Sequence, residues 1–332
     1  MTPAHPRSAR SELPAGVRPE RNPTGHPLNE ATLQRNAWLE IDLDALAHNL
    51  EVLRRSLSPG VEVLAVVKAN AYGHGAPEVA RELERLGVER LAVAWVGEGL
   101  ALRGAGVEVP IVVLGHSFPA DAAVAITSDL TLTCDTPELA EALSEAAVAA
   151  HRQARIHIKV DTGLRRFGLD LDAATTLAAF ARELPALEVE GLSTHMANAD
   201  EEDDSFSTEQ ADRFAGAMQK LPWVPFRHVA NSATALRRPE MHFQGVRLGL
   251  SLYGLAPPHT PVGRLRPVMS LRARVARVTP LEDGEGVSYG LVWRAVGSRR
   301  VALVPVGYAD GWRRTLTGRC SVLIGGRRAP AV

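Results

Sequence analysis

Three lysines, Lys68, Lys159 and Lys220, stand among the 37 basic residues of this 332-residue chain. Arginine serves wherever else a positive charge is wanted, so each lysine asks for a reason. An ammonium can lose its proton and act as an amine nucleophile, which a guanidinium in practice cannot. Lys68 follows Val66-Val67 and precedes the small-residue run Ala69-Asn70-Ala71-Tyr72-Gly73-His74-Gly75. Apolar neighbours disfavour the charged form and leave the free amine that a Schiff base with a carbonyl compound requires. An ion-paired core lysine is the bland alternative, and the residues around Lys68 alone leave it open.

Other apolar runs end in groups of similar interest. One closes with His157-Ile158-Lys159-Val160-Asp161-Thr162-Gly163, followed by Arg165, Arg166 and Gly168. Others end in Ser193-Thr194-His195 and His228-Val229-Ala230-Asn231-Ser232, and a last one passes through Arg247-Leu248-Gly249. Ser232, Tyr72 and the backbone near Gly249 could hold a phosphate through hydroxyls and N–H donors, although Ser232 would serve equally as a helix N-cap. An amine beside a phosphate subsite points to a phosphate-bearing aldehyde, hence pyridoxal phosphate. Taken singly, His195 reads as a satisfied core histidine, and Arg165 with Arg166 as a solvated pair. His151, His157 and His228 lack metal-ligand spacing with acids or cysteines, so no metal is expected.

These groups need a scaffold that gathers strand ends. Runs rich in Val, Ile and Leu recur near 61–67, 90–96, 110–114, 130–134, 155–160, 187–193, 226–230 and 245–252. Helical patterns at 76–87, 97–104, 119–126, 136–151, 171–183 and 207–220 separate most of them. Strands apolar on both faces and joined by helices imply a parallel sheet, and eight such units imply a (β/α)8 TIM-type barrel with catalytic groups at the C-terminal strand ends. A doubly wound sheet is weakened by the count, and Gly97-Glu98-Gly99 lacks a full dinucleotide fingerprint. Before the barrel, Ala37–Ile41 alternates as a strand, and Asp42 or Asp44 caps a helix whose Leu46, Leu50, Leu53 and Leu57 share a face.

The rhythm changes after residue 267. Leu271–Val278 and Arg299–Val306 alternate with period two and no helix is expected between them, so an antiparallel β module follows, with a Gly-Gly hairpin turn near its end. Residues 1–36 carry six prolines and few large apolar residues and read as a disordered tail. The expected domains are thus the tail 1–36, a cofactor-binding barrel over 37–267 and a β domain over 268–332. A net charge of −1 gives no basic footprint for nucleic acid or an anionic membrane. No apolar run is long enough to span a bilayer, no signal-peptide core begins the chain, and two distant cysteines, Cys134 and Cys320, form no disulfide framework. A cytoplasmic enzyme is expected.

The segments AVVKANAYGHG, KVDTGLRRFG, STHMANAD, HVANSATAL, GVRLGLSLYGLAP, VSYG and VGYADGW resemble, in order and spacing, the alanine racemases. The resemblance runs from about residue 37 to the last residue. It implies a fold-type III pyridoxal 5'-phosphate enzyme that interconverts L- and D-alanine and supplies D-alanine for peptidoglycan. It further implies a homodimer whose active sites are shared, because the two bases come from different subunits. Lys68 would carry the cofactor and act as the base on one face of the substrate. Tyr289 of the partner subunit would act on the other. A phenol with an ordinary pKa of ~10 needs help to serve as a base, and His195 resembles the histidine that contacts it. Arg247 would face the pyridine nitrogen. Arg166 would bind the substrate carboxylate, positioned by Lys159, which some family members carbamylate. Tyr72, Ser232, Gly249 and Leu250 would hold the phosphate, with Tyr253 packed nearby, His74 supporting and Asp161 orienting a neighbour.

One departure accompanies the resemblance. Family members continue with a Cys-Met-Asp-like segment and a later tyrosine, neither of which occurs here, so a C-terminally truncated chain with an incomplete β domain is expected. Three competing readings remain. One is a racemase for serine or a broader amino-acid range. Another is a non-catalytic cofactor-binding remnant, in which Lys68 holds the cofactor without turnover. A decarboxylase is disfavoured because it would place an acid, not Arg247, at the pyridine nitrogen.

Overall fold

The computed structural model describes residues 36–332, so the tail expected over 1–36 lies outside the described residues except for Asn36. Two compact units are present. One is Ile41–Ser270; the other is Leu271–Val332 with the residues just before Ile41.

The strand β1 (Ala37–Ile41) leads into α1 (Leu43–Arg54), the first helix of the larger unit. Of the two candidate caps Asp42 does the work: its side chain accepts from Ala45 N–H at 2.8 Å. Leu46, Leu50 and Leu53 are buried on one face of α1 as expected, while Leu57 lies beyond the helix end and only packs against the same core. Eight strands then form one parallel sheet: β2 (Glu62–Val66), β3 (Arg90–Val93), β4 (Ile111–Val113), β5 (Leu130–Cys134), β6 (Ala154–Lys159), β7 (Leu187–Ser193), β8 (Phe226–His228) and β9 (Gly245–Leu248). Their order is β8-β7-β6-β5-β4-β3-β2-β9. The open seam between β8 and β9 is bridged by two backbone bonds, Gln244 N–H to Arg227 O at 3.1 Å and Arg247 N–H to Ala230 O at 2.9 Å. The sheet is a barrel, not a doubly wound layer.

The joining helices are α2 (Ala76–Arg85), α3 (Val96–Gly104), α4 (Ala122–Thr127), α5 (Pro137–Ala149), α6 (Leu171–Glu183), α7 (Ser205–Lys220) and α8 (Ser232–Arg237). The helix expected over 119–126 is divided into a tight turn at Pro119–Asp121 followed by α4. Strand residues alternate between two buried surfaces. Val63, Ala65, Leu91, Val93, Ile111 and Val113 join the main core with Leu46, Leu83 and Leu102 from the helices. Leu64, Val66, Ala92, Val112 and Phe226 form a separate interior cluster. With both faces buried, nothing selects polar residues at alternate positions, which explains the unbroken apolar runs.

In the smaller unit β1 pairs with β10 (Met269–Ala273), and β11 (Arg277–Leu281) pairs antiparallel with β14 (Arg299–Leu303). β12 (Gly286–Val287) pairs with β13 (Trp293–Arg294), and β15 (Ser321–Ile324) with β16 (Arg327–Pro330). The run Leu271–Val278 is therefore two strands. Arg274 N–H bonds Asn36 O and Ala276 N–H bonds Leu303 O, so the chain changes partner there and cannot stay in one ladder. A single helical turn, Tyr289–Leu291, also stands where none was expected. The hairpin turn is Gly325-Gly326, with φ of +55° and +79°, as a two-residue turn of mirror-image type requires. Only Leu281 and Ala295 are buried among Leu271–Val332.

Candidate active site

The strand β2 delivers Lys68 to the rim, where the backbone takes an unusual course. Ala69, Asn70, Ala71 and Tyr72 all have φ between +51° and +55°, a full left-handed turn. Each such residue costs about 1–2 kcal/mol for an L-amino acid. Side chains compensate. Glu98 at the start of α3 accepts from Ala69 N–H and from Ala94 N–H, both at 2.7 Å, and Asn70 Oδ1 accepts from Ala76 N–H at 2.8 Å. The reversal sends the Tyr72 ring back toward β9. No local pattern marks Glu98, which lies inside a Gly-x-Gly and meets Ala69 from 29 positions away only because the barrel brings the two strand ends together.

On the neighbouring strand, β9 carries Arg247, only 5 % exposed. Its Nη1 donates to His228 Nδ1 and His228 O, each at 2.7 Å. Its Nη2 reaches Thr194 O at 2.7 Å, Val229 O at 2.8 Å and His195 Nδ1 at 3.1 Å. Among the described residues no partner is found for Nε, so one donor is left free. Burial, and Arg166 next, bring even this guanidinium down to about 10. The bond from Arg247 makes His195 Nδ1 an acceptor, which puts its proton on Nε2. Burial and then Arg247 hold His195 neutral, with its pKa pushed down to about 2. Gln210 on α7 steadies this corner, donating to His195 O and to Thr162 Oγ1, both at 3.0 Å.

Lys159 at the end of β6 is 8 % exposed. Its ammonium lies 5.8 Å from the centre of the Phe167 ring, and no carboxylate pairs with it among the described residues. Burial, then Arg247, Arg166 and Lys68, bring its pKa to about 7. Lys68 is pushed below the usual lysine range by burial first and then by Arg166, against the opposing pull of Glu98. Arg166 is exposed, yet acts electrostatically on all of these groups. Asp161 orients the loop that carries it, accepting from Gly163 N–H at 2.9 Å and Arg165 N–H at 3.1 Å. Lys220, the third lysine, pairs with Asp172 at 2.6 Å on the surface.

Beside this cationic cluster is a small hydroxyl-lined cradle. A Cβ at Gly249 would lie 2.8 Å from Tyr72 Oη, so only glycine leaves that space open. Asn231, not Ser232, caps α8, accepting from Thr234 N–H at 2.9 Å. Ser232 Oγ is thereby released and accepts from Gly249 N–H at 3.0 Å. This corrects one expectation: the Gly249 N–H is engaged within the chain, because a buried N–H takes the nearest acceptor. Leu250 exposes its side chain at this point. The Tyr253 ring lies 5.1 Å from that of Tyr72, tilted by 45°, and its hydroxyl donates to Val66 O at 2.9 Å, with the His74 ring 4.5 Å away. Cys134 is buried with its thiol pushed up to about 12, whereas Cys320 is half-buried. Tyr289 belongs to the smaller unit, where it is 74 % exposed with no hydrogen bond or ring contact among the described residues.

Residues 41–257 match the family model for the alanine racemase N-terminal domain, and residues 268–332 match that for the C-terminal domain. The chain belongs to the alanine racemase family. It is a racemase, an isomerase. An alanine racemase of Geobacillus stearothermophilus is 43 % identical over 311 residues, which cover 90 % of this chain and 78 % of that protein. The crystal structure of alanine racemase from E. faecalis superimposes with a TM-score of 0.83 at 36 % identity, covering 90 % of this chain and 82 % of that one. A histidine racemase from Leuconostoc mesenteroides superimposes almost as well, with a TM-score of 0.81 at 30 % identity over 89 % of this chain and 81 % of that one.

Proposed function

We propose that this chain interconverts L- and D-alanine with pyridoxal 5'-phosphate, acting in the cytoplasm as a homodimer and supplying D-alanine for peptidoglycan. The observation that carries this reading is the company Lys68 keeps: a half-buried amine pushed below the usual lysine range by burial, then by Arg166 and Arg247, close to a cradle that only Gly249 leaves open.

The residues fit the cofactor. Tyr72 Oη, Ser232 Oγ and the backbone at Leu250 suit its phosphate, with Gly249 leaving the room for it, and the free Arg247 Nε–H suits a ring nitrogen. When bound, the cofactor supplies an electron sink for the charge left on the substrate Cα as its proton departs. Arg247 has no proton to yield to that nitrogen, which keeps the sink moderate and favours quick reprotonation over side reactions. Lys68 Nζ takes or returns the Cα proton on one face, and the phenol of the partner's Tyr289 works on the other. Two opposed bases are what inversion of a stereocentre demands. The His195 Nε2–H is a donor suited to steady that phenolate. Arg166 offers a fork of donors to the substrate carboxylate.

Lys159 would hold Arg166 once carbamylated. With a pKa of about 7, much of it is free amine at neutral pH. That amine can add carbon dioxide, forming a carbamate and releasing one proton, which would replace a repelled cation by an anion beside Arg166. Alanine over a larger substrate is part of the proposal, since a histidine racemase shares this fold.

The test is polarimetric. Purified chain with added pyridoxal phosphate should carry the optical rotation of L-alanine to zero, faster than that of L-serine. Cofactor absorbance with unchanging rotation would reject the proposed interconversion of alanine by this chain in favour of cofactor binding without turnover.

A further inference from the structure

Behind Arg247 runs a line of polar groups, buried at His228 and His157 and partly buried from Glu190 outward, that the proposed reaction does not use. His228 Nε2 meets His157 Nδ1 at 2.9 Å, and His157 Nε2 meets Glu190 Oε2 at 3.1 Å. The other oxygen of Glu190 accepts from Arg90 Nη1 at 2.8 Å, and Arg90 Nε donates to Glu62 at 2.7 Å. His157 and His228 are essentially inaccessible to solvent.

Each histidine could carry its proton on either nitrogen, but the ends of the line remove the choice. A guanidinium only donates, so His228 Nδ1 must accept from Arg247 and its proton sits on Nε2. That proton goes to His157 Nδ1, which leaves His157 to carry its own proton on Nε2, facing a carboxylate that only accepts. From either end the polarity is the same, running from Arg247 through two neutral rings to Glu190. Burial would raise the Glu190 carboxyl, yet the bonds from His157 and Arg90 hold it down at about 2.

The barrel is built around this line. The β6–β7 ladder shifts register between Ile156 and His157, which pairs His157 with Gly191 and leaves Glu190 as the extra residue of a bulge. Bulges re-aim side chains. At Gly191 a Cβ would lie 2.4 Å from the His157 ring, so glycine makes the room that the imidazole occupies.

We infer that Glu190 is a positioning residue for the reaction: through His157 and His228 it keeps a permanent acceptor in front of Arg247 and so sets the guanidinium that faces the substrate site. Only the last step rests on the proposed function; the direction of the line does not.

The substitution Glu190→Gln separates this from a packing role. Arg90 can only donate and so claims the amide oxygen, which turns the amide NH2 toward His157 Nε2. Both rings must then exchange tautomers, and His228 Nδ1–H meets Arg247 Nη1–H, donor against donor. In the holoenzyme, nitrogen-15 spectra of selectively labelled histidines should show Nδ1 of His157 and His228 unprotonated in the wild type and protonated in E190Q. The kcat for racemisation should fall about tenfold or more in E190Q, with KM little changed. Adding Arg90→Met frees the amide to present its oxygen to His157, so R90M/E190Q should regain the wild-type tautomers and most of the lost kcat, although it removes a further buried contact.

A purely structural role predicts the opposite, a double variant slower than the single one. Three results each overturn the inference: a protonated Nδ1 on either ring of the wild type, unchanged tautomers in E190Q, or no recovery of kcat in R90M/E190Q. Should E190Q not fold, the wild-type spectrum and the double variant still decide. A wild-type chain that fails to racemise alanine would defeat the proposed function while leaving the tautomers as described.

Discussion

The two units of this chain handle polarity in opposite ways. In the barrel unit Arg247, Lys159, His157 and His228 are all at most 8 % exposed, each charge or ring enclosed. In the smaller unit Tyr289, Val292 and Val296 are each 74 % exposed and Leu323 is 68 % exposed. Burying a cation is costly unless it is bonded, and the barrel meets that cost for Arg247 with bonds to His228, Thr194, Val229 and His195. For Lys159 it does not, and the proton becomes easy to lose instead. The smaller unit stores no such tension. Its apolar surface is the kind that a partner covers, in keeping with the proposed homodimer. Reactive groups are made in the barrel, whereas the β unit presents a side chain that needs a neighbour.

This contrast can be broken at several points. The largest effects should come from the two proposed bases. Lys68→Ala should abolish covalent cofactor binding and racemisation together, whereas Tyr289→Phe should keep the cofactor's absorbance and slow racemisation by about 10²–10⁴-fold. A tyrosine variant that racemises normally would remove the β unit from the chemistry. Next comes packing. Leu64→Ala inside the barrel should cost about 2–5 kcal/mol in urea denaturation, against roughly 0.5 kcal/mol or less for Leu303→Ala, which is 59 % exposed. Equal losses at both positions would show that Leu303 is buried in solution by another surface.

A pH-dependent effect sharpens the account of Lys159. Between about pH 7 and 10.5 an unfolded chain holds a proton on this lysine that the folded chain has released. Stability therefore rises with pH across that window, and the penalty is complete below about 7. In carbon-dioxide-free buffer Lys159→Met should stabilise the protein by about 1–4 kcal/mol at pH 7 and far less near pH 10. Thermal melts at the two pH values would check this, and a pH-independent difference would mean that Lys159 is not held below its normal range.

Much of the barrel was legible without coordinates because its cause is local. Parallel strands buried on both faces must be apolar throughout, and the helices between them must carry a stripe, so the run lengths and their alternation announce the topology. Lys68, Lys159 and Arg247 stood out for a similar reason, being functional types at the ends of apolar runs. The left-handed turn at Ala69–Tyr72 did not, since apolar periodicity carries no information about the sign of φ, and alanine is a poor candidate for that region. Ser232 against Asn231 as the cap was a one-residue choice that pattern cannot make, yet it decides whether a hydroxyl is available at the rim.

What the sequence determined by itself was the set of elements, their order and the reactive residue types, because each follows from hydrophobic period and side-chain chemistry within a few residues. What only the tertiary structure decided was which polar groups touch. His157 and His228 are 71 positions apart and Glu190 is 33 from His157, and a register shift of one residue aims them at one another. Strand register belongs to the closed sheet as a whole, with every neighbouring strand constraining it, and no single segment of the chain encodes it alone.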